Sequence, residues 1–293
     1  MTTGTPPAST YPGGSRSRVN RAGEAVRAGT PSADDLAVID EWRAAHRGVL
    51  NTFQAILRFR TRGTSITVAQ RHKRKRTIFD KLQRLPRMQL SRMDDVAGCR
   101  LIFRSVRELY TFRKDFHTAR LDHRLRNDVD KYDYIKSPKE TGYRGVHDVY
   151  EYNVRSVVGK PLTGLYVEIQ YRTLVRHAWE TAVELIGFVT TSQPKFRAGD
   201  KRYEEAMALA GEILARAFEK SKGPRPLLED REVLRRFNAL DRELGLLRML
   251  RGLNAAKKQV NEKRNTILIF HPDGVLEMRT FRDAPEAITA LFD

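Results

Sequence analysis

The chain has 293 residues, a formal net charge of +18 and a single cysteine, Cys99. Its length suffices for one large or two small domains, and the lone cysteine excludes an intramolecular disulfide and a multi-cysteine zinc site. The positive charge favours phosphate-rich ligands or nucleic acid as partners; an arginine-rich composition without such a partner is the alternative.

The N-terminal region has the composition of an unfolded tail. Residues 1–32 are rich in Thr, Pro, Gly, Ser and Arg and contain few large apolar residues, which predicts a flexible basic tail. The same region lacks the apolar core of a secretion signal, and no apolar run in the sequence approaches the roughly 20 residues that cross a bilayer. We therefore expect a soluble, cytoplasmic protein without a membrane partner.

The middle of the chain alternates between helical and strand patterns. A helix is predicted from Ser32 to about Arg60, followed by a break at Gly63. The elements predicted next are a basic helix or helix start (71–85), a strand (96–103), a helix (106–116), two strands of period-two alternation (146–154 and 165–173) and a helix (177–188). This order predicts the α/β class, with a mixed β-sheet flanked by helices.

The C-terminal third has a different pattern. Two helices are predicted at 201–220 and 229–263, then a β-hairpin around Pro-Asp-Gly and a short helix at 285–292. We thus divide the chain into a flexible tail (1–32), a catalytic α/β domain (33–195) and a helical extension with a hairpin (196–293). The extension is predicted to regulate the protein or bind a partner, and its apolar stripes indicate core or oligomer contacts, which leaves a homo-oligomer possible.

A dense group of cations precedes the first core strand. Seven lysines and arginines lie within the 14 positions from Arg71 to Arg84, with apolar residues at helical spacing among them. Cations fixed in this way can neutralise a triphosphate during transfer chemistry. The alternative is a solvated helix face or a nucleic-acid contact, for which Arg74, Lys75 and Arg76 are the candidates.

Acidic residues lie at two of the predicted strands. Asp94 and Asp95 precede the strand at 96–103, and alternation places Glu168, Gln170 and Arg172 on one face of the strand at 165–173. Mg²⁺ typically binds one or two protein carboxylates together with substrate phosphates, so Asp95 and Glu168 are candidate ligands, and Glu168 is also a candidate base. The alternatives are an acidic surface turn and a solvated Glu168–Arg172 row.

The segment YIKSPKETGYRGVH, residues 134–147, combines cations with an aromatic ring. Lys136 and Lys139 flank a proline, and Gly142 allows Tyr143 to project. An aromatic face beside cations suits a purine base with phosphates, and His147 would orient a phosphate or simply pack. An ordinary polar hairpin is the alternative.

In sequence order, the segments at 71–81, 94–103, 134–147 and 167–173 together resemble the synthetase domain of RelA/SpoT-type pyrophosphokinases, which includes small alarmone synthetases and toxic relatives of them. The resemblance implies Mg²⁺-dependent transfer of the β,γ-pyrophosphate of ATP to a 3′-hydroxyl. It implies catalytic and metal-binding roles for Asp95 and Glu168. The ATP-binding residues that it implies are Arg71, Lys73, Thr77, Lys81 and Arg100. The acceptor-side residues are Lys136, Lys139, Tyr143, His147, Gln170 and Arg172.

Three hypotheses remain for the function, and the first two differ in the acceptor. The first is the 3′-CCA end of tRNA, which the charge excess favours, as in toxic relatives; an antitoxin or triggering protein would then bind the extension. Val183 and Glu184 stand where many alarmone synthetases have a Glu-His pair, which puts guanine recognition in doubt. The second is GDP or GTP, giving (p)ppGpp, and the third is a non-catalytic RNA-binding module. The basic residues expected to clamp a tRNA are Arg16, Arg18, Arg21, Arg27, Arg235, Arg236, Lys257, Lys258, Lys263 and Arg264.

Overall fold

The structure is a computed structural model that describes residues 11–190, 192, 194, 197–262, 266–270 and 276–280. It consists of two compact units. The first contains Met1–Ile135 and Gly145–Leu174, and the second contains Lys136–Arg144 and Val175–Asp293. The predicted helix at 285–292 and the predicted hairpin turn lie outside the described residues. Among the helices of the described part, none is long and apolar enough to cross a membrane.

The first unit is built on a five-stranded mixed sheet. Its strands are β1 (Thr67–His72), β2 (Ala97–Phe103), β3 (Arg124–Leu125), β4 (Val146–Glu151) and β5 (Tyr166–Thr173). The spatial order is β1-β2-β5-β4-β3, with β2 parallel to β5 and the other neighbours antiparallel. The predicted fold class, a mixed sheet flanked by helices, is confirmed.

Four helices accompany this sheet. They are α1 (Arg16–Ala28), α2 (Ala33–Arg60), α3 (Lys75–Arg84) and α4 (Val106–His117), with short 3₁₀ turns at Leu90–Arg92 and Lys160–Leu162. α2 begins with a capping box, in which Ser32 accepts from the Asp35 amide and the Asp35 carboxylate accepts from the Ser32 amide. The helix ends at Arg60, so its predicted start and end are both correct.

The predicted flexible tail is wrong for residues 16–28. Val19, Ala22 and Val26 lie at helical spacing and are buried in the core of the first unit. In addition, Arg27 donates to the carbonyls of Leu82 and Met88. Composition alone predicted an unfolded segment, whereas this narrow apolar stripe is sufficient once α2 covers it.

The basic stretch at 71–85 also differs from the prediction. Arg71 and His72 end β1, where Arg71 pairs with Gly98 of β2, and the helix begins only at Lys75. The helical spacing of Ile78 and Leu82 is correct, since both are fully buried.

The second unit is mainly helical. It contains α5 (Leu174–Val189), α6 (Lys201–Glu219), α7 (Asp230–Leu244), α8 (Leu246–Glu262) and an antiparallel pair, β6 (Thr266–Phe270) and β7 (Leu276–Thr280). The prediction of one helix over 229–263 is wrong, because Gly245 adopts φ +63° and ends α7. The paired strands of the predicted hairpin are confirmed.

Candidate active site

A cavity of about 290 Å³ opens in the first unit beside strands β1, β2 and β5. The strand pairing brings its polar residues together, because Gly98 of β2 lies between Arg71 of β1 and Glu168 of β5. The residues that line the cavity are Ala69, Gln70, Arg71, Lys73, Asp95, Gly98, Cys99, Arg100, Glu168 and Gln170. The two predicted catalytic acids therefore share one cavity with three of the predicted ATP-binding cations.

Asp95 is held by two lysines. Lys73 Nζ lies 2.6 Å from Asp95 Oδ2, and Lys81 Nζ lies 2.9 Å from Asp95 Oδ1. Lys73 is fixed by its backbone, since its amide donates to the Val96 carbonyl and its carbonyl accepts from Arg43 Nε. Lys81 extends from α3 and also lies 3.7 Å from Asp94.

These pairs determine the protonation states at this end of the cavity. Burial raises the pKa of Asp95, but the charges of Lys81 and Lys73 outweigh burial and leave the pKa below its ordinary value. Burial dominates at Asp94, whose pKa is raised. Asp95 is thus ionised at neutral pH.

Glu168 is fixed from two sides. His147 Nδ1 lies 2.8 Å from Glu168 Oε1, and Gln170 Nε2 donates to Glu168 Oε2 at 2.6 Å. Arg172 donates to Gln170 Oε1, which completes a row along β5. Burial raises the pKa of Glu168, but His147 and Gln170 lower it by more than burial raises it, and the pKa is about 2. Glu168 is therefore ionised, and with a side chain only 13% exposed it does not belong to a solvated row.

The carboxylates of Asp95 and Glu168 suit a hard divalent ion that takes its other ligands from water and substrate. Asp95 and Glu168 present ionised oxygens to the same cavity. No group of three or more His, Cys, Asp or Glu side chains suited to a metal occurs in the described part of the chain. Mg²⁺ commonly binds one or two carboxylates and completes its coordination with water and substrate phosphates, so these two residues match that ion.

Four other residues that were predicted to bind phosphate or nucleic acid do not line the cavity. Thr77 lies on α3, and the cavity lining does not include it. Arg74 and Arg76 are exposed, and Lys75 pairs with Asp40 at 2.8 Å. The roles of these four residues stay predictions.

The predicted acceptor-side residues are divided between the two units. His147, Gln170 and Arg172 belong to the first, whereas Lys136, Lys139 and Tyr143 belong to the second. In the second unit, Lys139 Nζ lies 5.3 Å from the centre of the Tyr143 ring. The Gly142 amide donates to the Lys139 carbonyl at 2.8 Å, and Gly142 adopts φ +90°. The expected cation beside an aromatic ring is present, and its binding role stays a prediction.

Several cavity residues, among them Gln70 and Cys99, were not predicted from the sequence. Gln70 and Cys99 face each other across the β1–β2 pair, and their position follows only from its register. Burial raises the pKa of the Cys99 thiol to about 12. This cysteine is therefore a neutral lining group at physiological pH.

Comparison with known proteins agrees with the motifs. Residues 70–185 match the region found in RelA / SpoT proteins. The GTP pyrophosphokinase YjbM of Bacillus subtilis (strain 168) is 34% identical over 113 residues, which are 36% of this chain and 48% of that protein. The chain thus spans about half the length of this curated relative.

Two solved structures are similar to part of the chain. Small alarmone synthetase 1 from Bacillus subtilis, bound to its product pppGpp, matches with a TM-score of 0.50 and 25% identity, over 60% of this chain and 90% of that one. A GTP pyrophosphokinase family protein from Streptococcus pneumoniae matches with a TM-score of 0.49 and 22% identity, over 60% and 87%. The region at 70–185 contains all four motifs, so it matches a RelA/SpoT-type synthetase domain, as the sequence predicted.

Proposed function

We propose that the protein is a pyrophosphokinase that moves the β,γ-pyrophosphoryl group of ATP to a 3′-hydroxyl. The acceptor oxygen forms a bond to the β-phosphorus, and the bond from that phosphorus to the α,β-bridging oxygen breaks. AMP leaves with the bridging oxygen, and the hydroxyl proton is released to water. The observation that carries this proposal is one cavity in which ionised Asp95 and Glu168 lie among Arg71, Lys73 and Arg100.

The cations have a direct electrostatic role in this reaction. Negative charge builds up on the bridging and leaving oxygens as the pyrophosphoryl group moves, and cations that are already in place stabilise it without reorganisation. Lys73 is suited to this because its backbone is held on both sides. Mg²⁺ held by Asp95 and Glu168 would supply further neutralisation when it is bound.

Glu168 has two possible roles, metal ligand or base. A carboxylate with a pKa of about 2 is a weak proton acceptor, because general bases work best with a pKa near the operating pH. Its two oxygens are also oriented by His147 and Gln170. We therefore assign Glu168 to binding the metal and orienting its neighbours rather than to removing the hydroxyl proton.

A guanosine nucleotide is the acceptor that we favour. The relatives are described as a GTP pyrophosphokinase and as a synthetase bound to pppGpp, which supports this choice. Several of the cations that favoured tRNA as the acceptor already form ion pairs within the protein. Arg18 binds Asp34, and both Arg235 and Arg236 bind Glu232. The side chains of Lys257, Lys258, Lys263 and Arg264 lie outside the described part of the structure.

The 3′ end of tRNA is the second candidate. Its supporting observation is the net charge of +18, which suits a polyanion better than a single nucleotide. Val183 and Glu184 in place of the Glu-His pair also favour it. In this alternative the chemistry is unchanged and only the acceptor differs.

A labelled-phosphate assay separates these candidates. The purified protein is incubated with Mg²⁺, γ-³²P-ATP and either GDP, GTP or deacylated tRNA, and products are resolved by chromatography and by gel. Label in ppGpp or pppGpp supports the first candidate, and label in tRNA supports the second. If neither acceptor is labelled above the level of an Asp95→Ala control, the proposed function is refuted.

A further inference from the structure

Residues Lys136–Arg144, here called the acceptor loop, leave the first unit and belong to the second. The loop contains Lys136, Lys139 and Tyr143, which the family resemblance places beside the acceptor. Its flanking residues in the first unit are joined by a hydrogen bond of 2.9 Å from the Tyr134 amide to the Gly145 carbonyl. The contacts of the loop with α5, α6 and the segment after α6 all lie within the second unit.

The loop backbone lies directly against α6. A Cβ added to Gly142 would come within 3.0 Å of the Met207 carbonyl oxygen and of the Trp179 ring. On the other side, a Cβ added to Gly211 of α6 would lie 2.9 Å from the Gly142 carbonyl oxygen and 3.0 Å from its Cα. Two glycines thus allow this close approach, and the left-handed φ of Gly142 independently requires glycine.

A buried ionic cluster holds the end of the loop. Arg144 Nε donates to Glu219 Oε2 at 3.0 Å, and Arg176 donates to both oxygens of Glu219, at 3.0 and 2.8 Å. The three side chains are at most 2% exposed. Arg144 also donates to the Ser221 hydroxyl and the Lys222 carbonyl just after α6. One carboxylate therefore joins the acceptor loop, α5 and the end of α6.

The segment after α6 makes a further contact with the loop. Arg225 Nη1 donates to the Glu140 carbonyl at 3.3 Å and pairs with Glu205. Arg225 is held in turn by Glu212, a fully buried residue whose carboxylate accepts from the Arg225 amide at 2.8 Å. The loop is thus supported at its middle and at its end by residues 205–225.

We propose that α6 and the segment to Arg225 position the acceptor loop, and that Glu219 is the positioning residue that fixes Tyr143 and Lys139 for acceptor binding. The inference rests on the proposed function. Met207, Gly211, Glu219 and Arg225 all lie beyond residue 185, where the family match ends. In this proposal α6, which lies beyond the predicted domain division at residue 195, contributes to acceptor binding.

The physical reason lies in the charges of the buried cluster. Removing one partner of a buried ion pair leaves an uncompensated charge, which is far more costly than losing an exposed pair. Without the Glu219 carboxylate, Arg144 and Arg176 lose the acceptor that they share, and displacement of the loop separates the two buried charges. Misplacement of a binding group by about 1 Å can cost up to about a hundredfold in rate.

The test compares Glu219→Gln, Glu219→Asp and Gly211→Ala with a matched control, Glu151→Gln. Glu151 also lies between two arginines, Arg124 and Arg126, but belongs to the first unit and is partly exposed. Gly211→Ala leaves every charge in place, and alanine favours a helix more than glycine does, so we expect this variant to fold. Its added Cβ perturbs the loop, which keeps the test valid even if the Glu219 variants fail to fold. Folding is checked by circular dichroism.

Two readouts are measured on the full chain. In the labelled-ATP assay, we expect Glu219→Gln and Gly211→Ala to raise the KM of the acceptor by roughly tenfold to a hundredfold. Their KM for ATP should change less than about twofold, the spread expected of distant, independent sites. Glu219→Asp, which keeps the charge, should lie between wild type and Glu219→Gln. In hydrogen exchange, peptides covering residues 136–144 should exchange faster in the variants, while those covering 166–173 should not.

The outcomes are separable. Equal rises in both KM values, or unchanged exchange at residues 136–144, would overturn the inference while leaving the pyrophosphokinase intact. A wild-type protein that labels no acceptor refutes the proposed function, and the assigned acceptor-binding role of Glu219 is then refuted with it. In that case the exchange experiment still shows whether α6 holds the loop.

Discussion

Asp148 is the buried acid whose replacement gives the sharpest test of the fold beneath the site. It lies on β4 next to His147 and points to the opposite face of the sheet, where its side chain is fully buried. It accepts from Arg113 Nη2 at 2.6 Å, from Arg113 Nε at 3.0 Å and from His117 Nε2 at 2.7 Å. Asp148→Asn keeps the shape and removes the charge.

The expected cost follows from the partner that is left behind. Removing one member of a buried ion pair typically costs about 3–5 kcal/mol, because the other charge stays buried without compensation. Arg113 keeps one strong acceptor, the Val129 carbonyl at 2.6 Å. We therefore expect the lower end of this range, a loss of about 3 kcal/mol in the free energy of unfolding.

Urea denaturation followed by circular dichroism measures this loss. The control is Asp115→Asn, which changes an exposed aspartate on α4 and should shift the free energy of unfolding by less than about 0.5 kcal/mol. A loss below about 1 kcal/mol for Asp148→Asn, with an unchanged denaturant slope, would show that the Arg113 charge is solvated and that the reasoning is wrong.

The same residue predicts a pH dependence. Burial raises the pKa of Asp148, but hydrogen bonds from His117 and Arg113 outweigh burial, and the pKa is lowered in the folded protein. A lowered folded-state pKa adds stability that is present above the unfolded pKa of about 3.9 and is lost as the pH falls through the folded value. The difference in unfolding free energy between wild type and Asp148→Asn should therefore shrink as the pH falls below about 4.

Three further predictions concern the cavity. Asp95→Asn should lower the rate of pyrophosphoryl transfer by at least about a hundredfold in the labelled-ATP assay, since it removes a proposed metal ligand; activity within tenfold of wild type would contradict the assignment. EDTA in excess over metal should abolish transfer, and Mg²⁺ added above the chelator concentration should restore it. Cys99, buried and with a pKa of about 12, should resist iodoacetamide at pH 8 in the folded protein and react in urea, as measured by mass spectrometry.

Local periodicity predicted most of the elements in this fold. Alternation located β4 and β5, and helical spacing located α2, α4 and α6, because each pattern reflects burial on one face. The exceptions include β1 and β3, which were not predicted, and places where the pattern was weak. α1 has a narrow apolar stripe in a composition typical of disorder, and a single glycine, Gly245, separates α7 from α8.

The candidate site was predicted by residue type and by family motifs, but its contacts were not. His147 pairs with Gln170 across β4 and β5, and this register places His147 diagonally beside Glu168. Sequence patterns contain no information on which strands are neighbours. The hydrogen bond between His147 and Glu168 therefore could not be predicted, although both residues were.

Asp95 has two proposed functions that a motif does not distinguish. As the proposed metal ligand it must be ionised, and the lysines that keep it so are themselves predicted to bind ATP phosphates. Asp95 in turn holds those ammonium groups less than 3 Å from its oxygens, where their mutual repulsion would otherwise separate them. The acid and the two cations thus preorganise one another before any nucleotide binds. Asp95 already offsets the repulsion between Lys73 and Lys81, so nucleotide binding does not have to overcome it. A variant at Asp95 should therefore disorder both lysines as well as lose the metal, whereas a variant at Lys73 leaves Asp95 paired with Lys81.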